Sequence, residues 1–175
     1  MDILRFRELL GRPQVDGTVQ SDWEGLESRH GVSLPTDYKE FVSAFGPGCL
    51  NGQLYVFHPR ASGGDDGLRL ESLWRQAAQT YGTLYQSDPE MYPYSMYPAD
   101  GGCIAVARSI SGNYVFLLPD KSRAHHWSVV VEMGEWAVLE MSFTDFLWAA
   151  LNEELYVPVL EGEPSFEPIG GLEAF

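Results

Sequence analysis

The 175-residue chain predicts an α+β fold: a single domain in which several helices pack a mostly antiparallel central sheet. Three observations carry that expectation. Residues 34–57 read as a helix with defined ends running straight into a strand. Residues 127–133 and 136–141 are two apolar runs joined only by Gly134-Glu135, a loop short enough to require an antiparallel hairpin. Helical periodicity occupies both ends of the chain around these strands.

In order, residues 2–10 predict a short helix with Ile3, Phe6 and Leu10 inward, ended by Gly11-Arg12-Pro13. Ser21-Asp22-Trp23-Glu24 reads as a capping box opening a second helix, whose inner face is Trp23, Leu26 and His30 and whose end is Gly31. Thr36 suits the N-cap of a third, with Asp37 in its first turn and Tyr38, Phe41, Val42 and Phe45 as one apolar stripe. Gly46-Pro47-Gly48 stops that helix, because glycine accepts the left-handed cap and proline cannot continue the coil. Leu54 to Phe57 follow as a strand covered on both faces. Gly63-Gly64-Asp65-Asp66-Gly67 is an acidic loop before the most amphipathic helix, with Leu70, Leu73, Trp74, Ala77, Ala78 and Tyr81 on one side.

Pro89, Pro93 and Pro98 make residues 85–98 irregular. Residues 103–107 and 114–118 are strands around the turn Ser111-Gly112-Asn113. Ser142 caps a closing helix with Phe143, Phe146, Leu147, Ala150 and Leu151 inward. Residues 1–155 are thus the expected domain, and residues 156–175 an acidic Pro/Gly-rich tail that is either mobile or packed through Phe166 and Phe175. The spacing places Trp23, Tyr38, Phe41, Leu73, Trp74 and Phe146 in one shared core, and all five tryptophans read as core residues.

With 45% hydrophobic and 13% aromatic residues, the chain can bury a core and is not generally disordered. The longest apolar runs, such as residues 114–118, fall far short of a membrane span, and residues 1–10 lack the continuous apolar core of a signal peptide. A cytoplasmic protein is expected, with Cys49 and Cys103 as reduced thiols. The net charge of −14 is unevenly spread: residues 1–123 carry 15 acids against all 11 Lys and Arg, whereas residues 124–175 carry 10 acids and neither base. Such a field repels nucleic acid and anionic membranes; it serves either solubility alone or the steering of a basic protein.

Catalytic and cofactor motifs are absent. There is no G-x-S-x-G, Walker loop or G-x-G-x-x-G. His125-His126 is the most tempting metal pair, but on a strand adjacent residues face opposite ways. Asp65-Asp66 lacks the spaced ligands of a calcium loop. No metal, cofactor or catalytic residue is therefore assigned. Met91-Tyr92-Pro93-Tyr94-Ser95-Met96-Tyr97 reads either as a proline-stiffened interface loop or as a loop folded onto the sheet with its tyrosines as rim packing.

The ordered set of Trp23 on a helix, Leu34-Pro35, Tyr38 and Phe41 on the next helix, Gly48 and Gly52 in a turn, the run Gly101-Gly102-Cys103-Ile104-Ala105-Val106-Ala107 and a helix over residues 142–151 resembles the SUKH superfamily. That superfamily is best known for bacterial immunity proteins, with fungal cell-wall regulators among its relatives. The resemblance implies a non-enzymatic protein that binds and neutralises a cognate toxin, a basic nuclease being one such toxin. Alternatives are a regulatory scaffold, or a small-molecule binder or enzyme using the cleft beside the sheet. On the immunity reading the expected partner surface comprises Tyr92, Tyr94, Met96 and Tyr97 with the acids Asp65, Asp66, Glu132, Glu135, Glu153 and Glu154.

Overall fold

Asp2 opens the first helix, α1 (Ile3–Leu10), by accepting the Leu4 N–H on its carboxylate, and Phe6 is the residue that α1 buries. A computed structural model describes residues 2–12 and 20–172 of the chain. Pro13 and Phe175, to which the sequence assigns a helix end and a packing contact, lie outside these residues. Helices α2 (Gln20–His30) and α3 (Thr36–Phe45) follow, then the strands β1 (Gly48–Leu50) and β2 (Leu54–Val56). The long α4 (Leu70–Ser87) precedes the meander β3 (Ile104–Ser109), β4 (Tyr114–Pro119), β5 (Trp127–Glu132) and β6 (Trp136–Leu139). The chain closes with α5 (Phe143–Leu151), a 3₁₀ turn (Pro158–Leu160) and β7 (Phe166–Pro168).

The strands form one seven-stranded sheet in the order β6-β5-β4-β3-β2-β1-β7, with every ladder antiparallel. The expected α+β domain is the fold observed. Register assigns the faces. Phe116 pairs with Val130 and Val130 with Val138, and side chains alternate along a strand, so Tyr114, Phe116, Glu132, Trp136 and Val138 share one face. That face receives α4, whose Tyr81 ring lies 5.2 Å from Tyr114 and 5.6 Å from Phe116. The opposite face carries α3 and α5, joined by Tyr38 against Phe143 at 5.1 Å, with Phe6 of α1 against Phe41 at 5.1 Å. Trp23, Tyr38, Phe41, Leu73, Trp74 and Phe146 all lie in one continuous buried core. Inside it the Tyr38 hydroxyl and His58 Nε2 have no hydrogen-bond partner, and burial lowers the His58 pKa to about 4.

Several local expectations are corrected. Pro35, not Thr36, is the N-cap of α3; its φ of −59° already suits a helix start, and no side chain caps the turn. Asp37 in that first turn accepts both the Thr144 N–H and its hydroxyl, at 2.9 and 3.0 Å, tying α3 to the start of α5. The Ser21–Glu24 capping box is absent because α2 already begins at Gln20; Glu24 instead accepts from the Gln20 side chain at 3.1 Å. Helix α4 continues to Ser87, because the first proline of the irregular stretch is Pro89. Gly48 lies in β1 rather than in a turn. It pairs with Pro168 of β7, and a Cβ there would run into the Phe166 ring. Trp127, Trp136 and Trp148 are only partly buried, whereas Trp23 and Trp74 are core. His125 and His126 are exposed residues of the turn before β5, His125 with φ of 60°, not strand residues.

The segment after residue 155 is stitched to the sheet. Val157, Val159 and Leu160 are buried, the Asn51 side chain accepts the Ser165 N–H, and Gln53 accepts the Glu161 N–H. Phe166 packs 5.5 Å from Phe45. Both cysteines are buried and unbridged, and burial pushes the Cys103 thiol up to about 12.

Candidate protein-binding surface

Helix α4 spans the sheet with an aromatic residue near each end of its buried stripe, and a separate aromatic cluster forms at each. Near its start, Trp74 donates its indole N–H to the Ala105 carbonyl at 2.9 Å. The His30 ring stands edge-on to Trp74 at 5.0 Å, and Tyr97 lies 5.1 Å from the same indole. His30 Nδ1 meets the Tyr97 hydroxyl at 2.9 Å and Nε2 meets Glu71 at 2.7 Å, while Arg29 donates to the other Glu71 oxygen at 3.0 Å. Burial pushes the Glu71 carboxyl up, but the His30 and Arg29 contacts outweigh it and the pKa is lowered. Burial, with Glu71 nearby, raises the Tyr97 hydroxyl. This cluster ties α2, α4 and the proline-rich loop together.

At the other end the same loop meets the edge of the sheet. Trp136 of β6 stacks on Phe116 at 5.7 Å and donates its indole N–H to the Met91 carbonyl at 2.9 Å. Tyr81, Tyr94 and Tyr92 approach that indole at 5.4, 5.7 and 6.4 Å. Tyr81 donates its hydroxyl to Glu132 at 2.8 Å, and burial together with this acceptor raises its pKa. The other Glu132 oxygen accepts the Gly134 N–H at 2.8 Å, which fixes the β5–β6 turn beside the exposed Glu135. Met91 is 59% exposed and Val138 is 41% exposed, so this cluster opens to solvent, whereas the first closes over the buried Trp74 and leaves His30, Glu71 and Tyr97 partly exposed at its rim.

The expected partner residues therefore divide. Tyr92, Tyr94, Glu132 and Glu135 come together around Trp136. Tyr97 belongs to the closed cluster. Met96 is buried, held by the bridge between its backbone and Cys103, and presents no side chain to solvent. Asp65 and Asp66 are exposed in the loop between β2 and α4, at the end of the sheet opposite the β5–β6 turn. Glu153 and Glu154 are exposed just beyond α5. Tyr81 is buried as its place on the inner stripe of α4 implies, whereas the sequence reads Trp136 as core and does not mark Val138. Only the strand order, with β6 outermost, turns these residues into a surface.

On the opposite face a cleft of about 280 Å³ is lined by Pro35, Asp37, Leu117, His126, Trp127 and Phe143, among others. Asp37 is already committed there to Thr144. Among the described residues, no group of three His, Cys, Asp or Glu side chains is placed to hold a metal ion.

Residues 18–148, most of this α+β domain, match the SMI1/KNR4 family (SUKH-1). The chain belongs to that family. No curated protein and no solved structure matches the chain. SUKH-1 membership brings an immunity-type or related regulatory role exercised through protein partners, in a family whose members are generally not enzymes. Among the described residues of this SUKH-1 protein, no helix is long and apolar enough to cross a membrane.

Proposed function

We propose that this SUKH-1 protein is an immunity protein that neutralises a cognate toxin in the cytoplasm by binding it, and that the toxin presents a basic surface, as a nuclease must toward its own substrate. The observation that carries this reading is the pairing, at the β6 edge, of an open aromatic cluster with carboxylates in a region that has no compensating Lys or Arg. Residues 124–175 contain 10 acids and neither base, so their field speeds encounter with a cationic protein. Met91, Tyr94, Trp136 and Val138 then offer apolar contact area that slows release. Trp136 is held by Phe116 and the Met91 carbonyl, so little ordering accompanies binding. A regulatory scaffold role is the second reading, because the matching family also takes in cell-wall regulators.

The test is co-expression with the toxin domain encoded beside this gene, followed by binding kinetics on the purified pair. Survival of the host and an association rate that falls steeply with salt are the expected results. Survival unaffected by the protein, together with no complex on mixing, would reject the immunity role.

A further inference from the structure

We propose that the outer edge of β6 takes up an extended, lysine- or arginine-bearing segment of a partner protein as an eighth strand of the sheet. The proposal rests on the reading that the β6 side is a protein-binding surface, and it specifies how that surface would be used. The two edges of the sheet differ in how they are guarded. At one edge β7 is three residues long, includes Pro168, which has no N–H to offer, and exposes Glu167. At the other edge Trp136-Ala137-Val138-Leu139 contains no proline and no lysine, and its ladder with β5 runs through four consecutive pairs without a bulge. These are devices that normally blunt an edge, and β6 is guarded only by its shortness and by the carboxylates of Glu135 and Glu140 at its two ends. No described strand lies outside it. An incoming strand can therefore pair with the outward N–H and C=O groups, while Val138 and the Trp136 cluster meet its alternate side chains.

Charge selects the occupant. Glu135 precedes β6, Glu140 follows it, and Glu132 pairs with Trp136 across the hairpin. A second copy of this chain adding edge to edge would bring the flanking carboxylates of both copies together, which is unfavourable. A basic segment meets the same carboxylates favourably.

The experiment is an NMR titration of the full chain with a synthetic octapeptide alternating Lys and Val, with an alternating Glu–Val octapeptide as control. The outward-facing amides within β6 are expected to exchange quickly in the free protein. With the Lys–Val peptide they should shift and exchange about tenfold or more slowly, and with the Glu–Val peptide they should not. Val138→Lys introduces a guarding charge at an exposed position, so the fold is retained and affinity for the peptide falls by about tenfold. Three results overturn the proposal. One is no binding of the Lys–Val peptide, or shifts confined to acidic segments such as Asp65-Asp66 and Glu153-Glu154. Another is peptide binding that leaves β6 exchange unchanged or that Val138→Lys does not weaken. The third is β6 amides already protected in a free protein that sediments as a dimer, which would give the edge to a second copy. The immunity reading fails separately, when the toxin is not neutralised, whatever the peptide does.

Discussion

Trp74, on the buried stripe of α4, and Trp136, on the strand β6 beneath the other end of that helix, each donate an indole N–H to a backbone carbonyl at 2.9 Å. Their surroundings diverge. Trp74 lies over the sheet interior, walled by His30 of α2 and by Tyr97, and is 4% exposed. Trp136 is on the edge strand β6, and no described strand lies beyond it to complete the enclosure. One aromatic loop supplies tyrosines to both, so composition does not separate a cluster closed over its tryptophan from one open to solvent. Distance from the sheet edge does.

The largest effect expected from that difference is on stability. Trp74→Ala should cost about 3 to 5 kcal/mol, because it empties a closed site and orphans the Ala105 carbonyl from its indole partner. Trp136→Ala, removing a ring that water already reaches, should cost roughly half as much. Urea denaturation of the two variants measures this. Equal losses would mean that the edge cluster is as structural as the interior one.

A second difference is electrostatic. Glu71 in the closed cluster has a pKa below its ordinary value of 4.5, so the folded state binds its proton less readily than the unfolded state does. Its contribution is therefore fully present above about that ordinary value and is lost as pH falls through the lowered folded value. Glu71→Gln should reduce stability at neutral pH by about 1 to 3 kcal/mol, since His30 and Arg29 lose their charged acceptor, and should flatten the acid limb of the stability profile. Urea midpoints taken from pH 7 down to pH 3 for both proteins check this. A wild-type acid limb that the variant reproduces unchanged would place the sensitivity in other carboxylates.

What the sequence discloses follows the range of the interactions. The end of α3 is written in Gly46-Pro47, and the Ser142 cap of α5 appears as expected, its hydroxyl accepting the Asp145 N–H at 3.1 Å, because both are local chemistry. Asp37 reads locally as a dipole complement, yet its partner Thr144 is 107 residues away and no pattern in the first turn announces it. The hairpin of β5 and β6 is legible from its turn, whereas the position of β6 at the edge is not, since alternation along a strand says nothing about strand order. Met96 shows the same limit. Its run of Met, Tyr and Pro reads either as an interface loop or as a loop folded onto the sheet, and only the backbone bridge to Cys103 turns that one side chain inward. Four of the ten expected partner residues were thus gathered by the fold, and Trp136, the residue that gathers them, looked like core.

The tyrosines of the loop sharpen the comparison within a single segment. Tyr97→Ala should lower stability, because its hydroxyl joins His30 and its ring covers Trp74. Tyr94→Ala should leave stability nearly unchanged and instead speed dissociation from the proposed toxin, with a binding loss of about 2 kcal/mol if Tyr94 is an anchor. Thermal melts and dissociation rates on the same two variants separate them. A Tyr97 variant that is stable but releases the toxin quickly would move the recognition surface to the closed cluster.

The smallest effect concerns Glu135, exposed in the β5–β6 turn and bonded to its neighbours through its backbone, its carbonyl accepting the Met133 N–H at 3.0 Å. Its carboxylate carries no structural contact comparable to that of Glu132, so Glu135→Lys should change stability by no more than about 0.5 kcal/mol. It reverses a charge beside the open cluster, and encounter with a basic partner depends on the summed field over that region. The association rate should fall several-fold at low salt and converge with wild type as ionic strength rises, while the dissociation rate changes little. Glu153→Lys makes the same change in net charge beyond α5, away from Trp136. If the two reversals slow association equally, steering reflects the total charge of the protein; a larger effect at Glu135 would locate the encounter at the β6 edge.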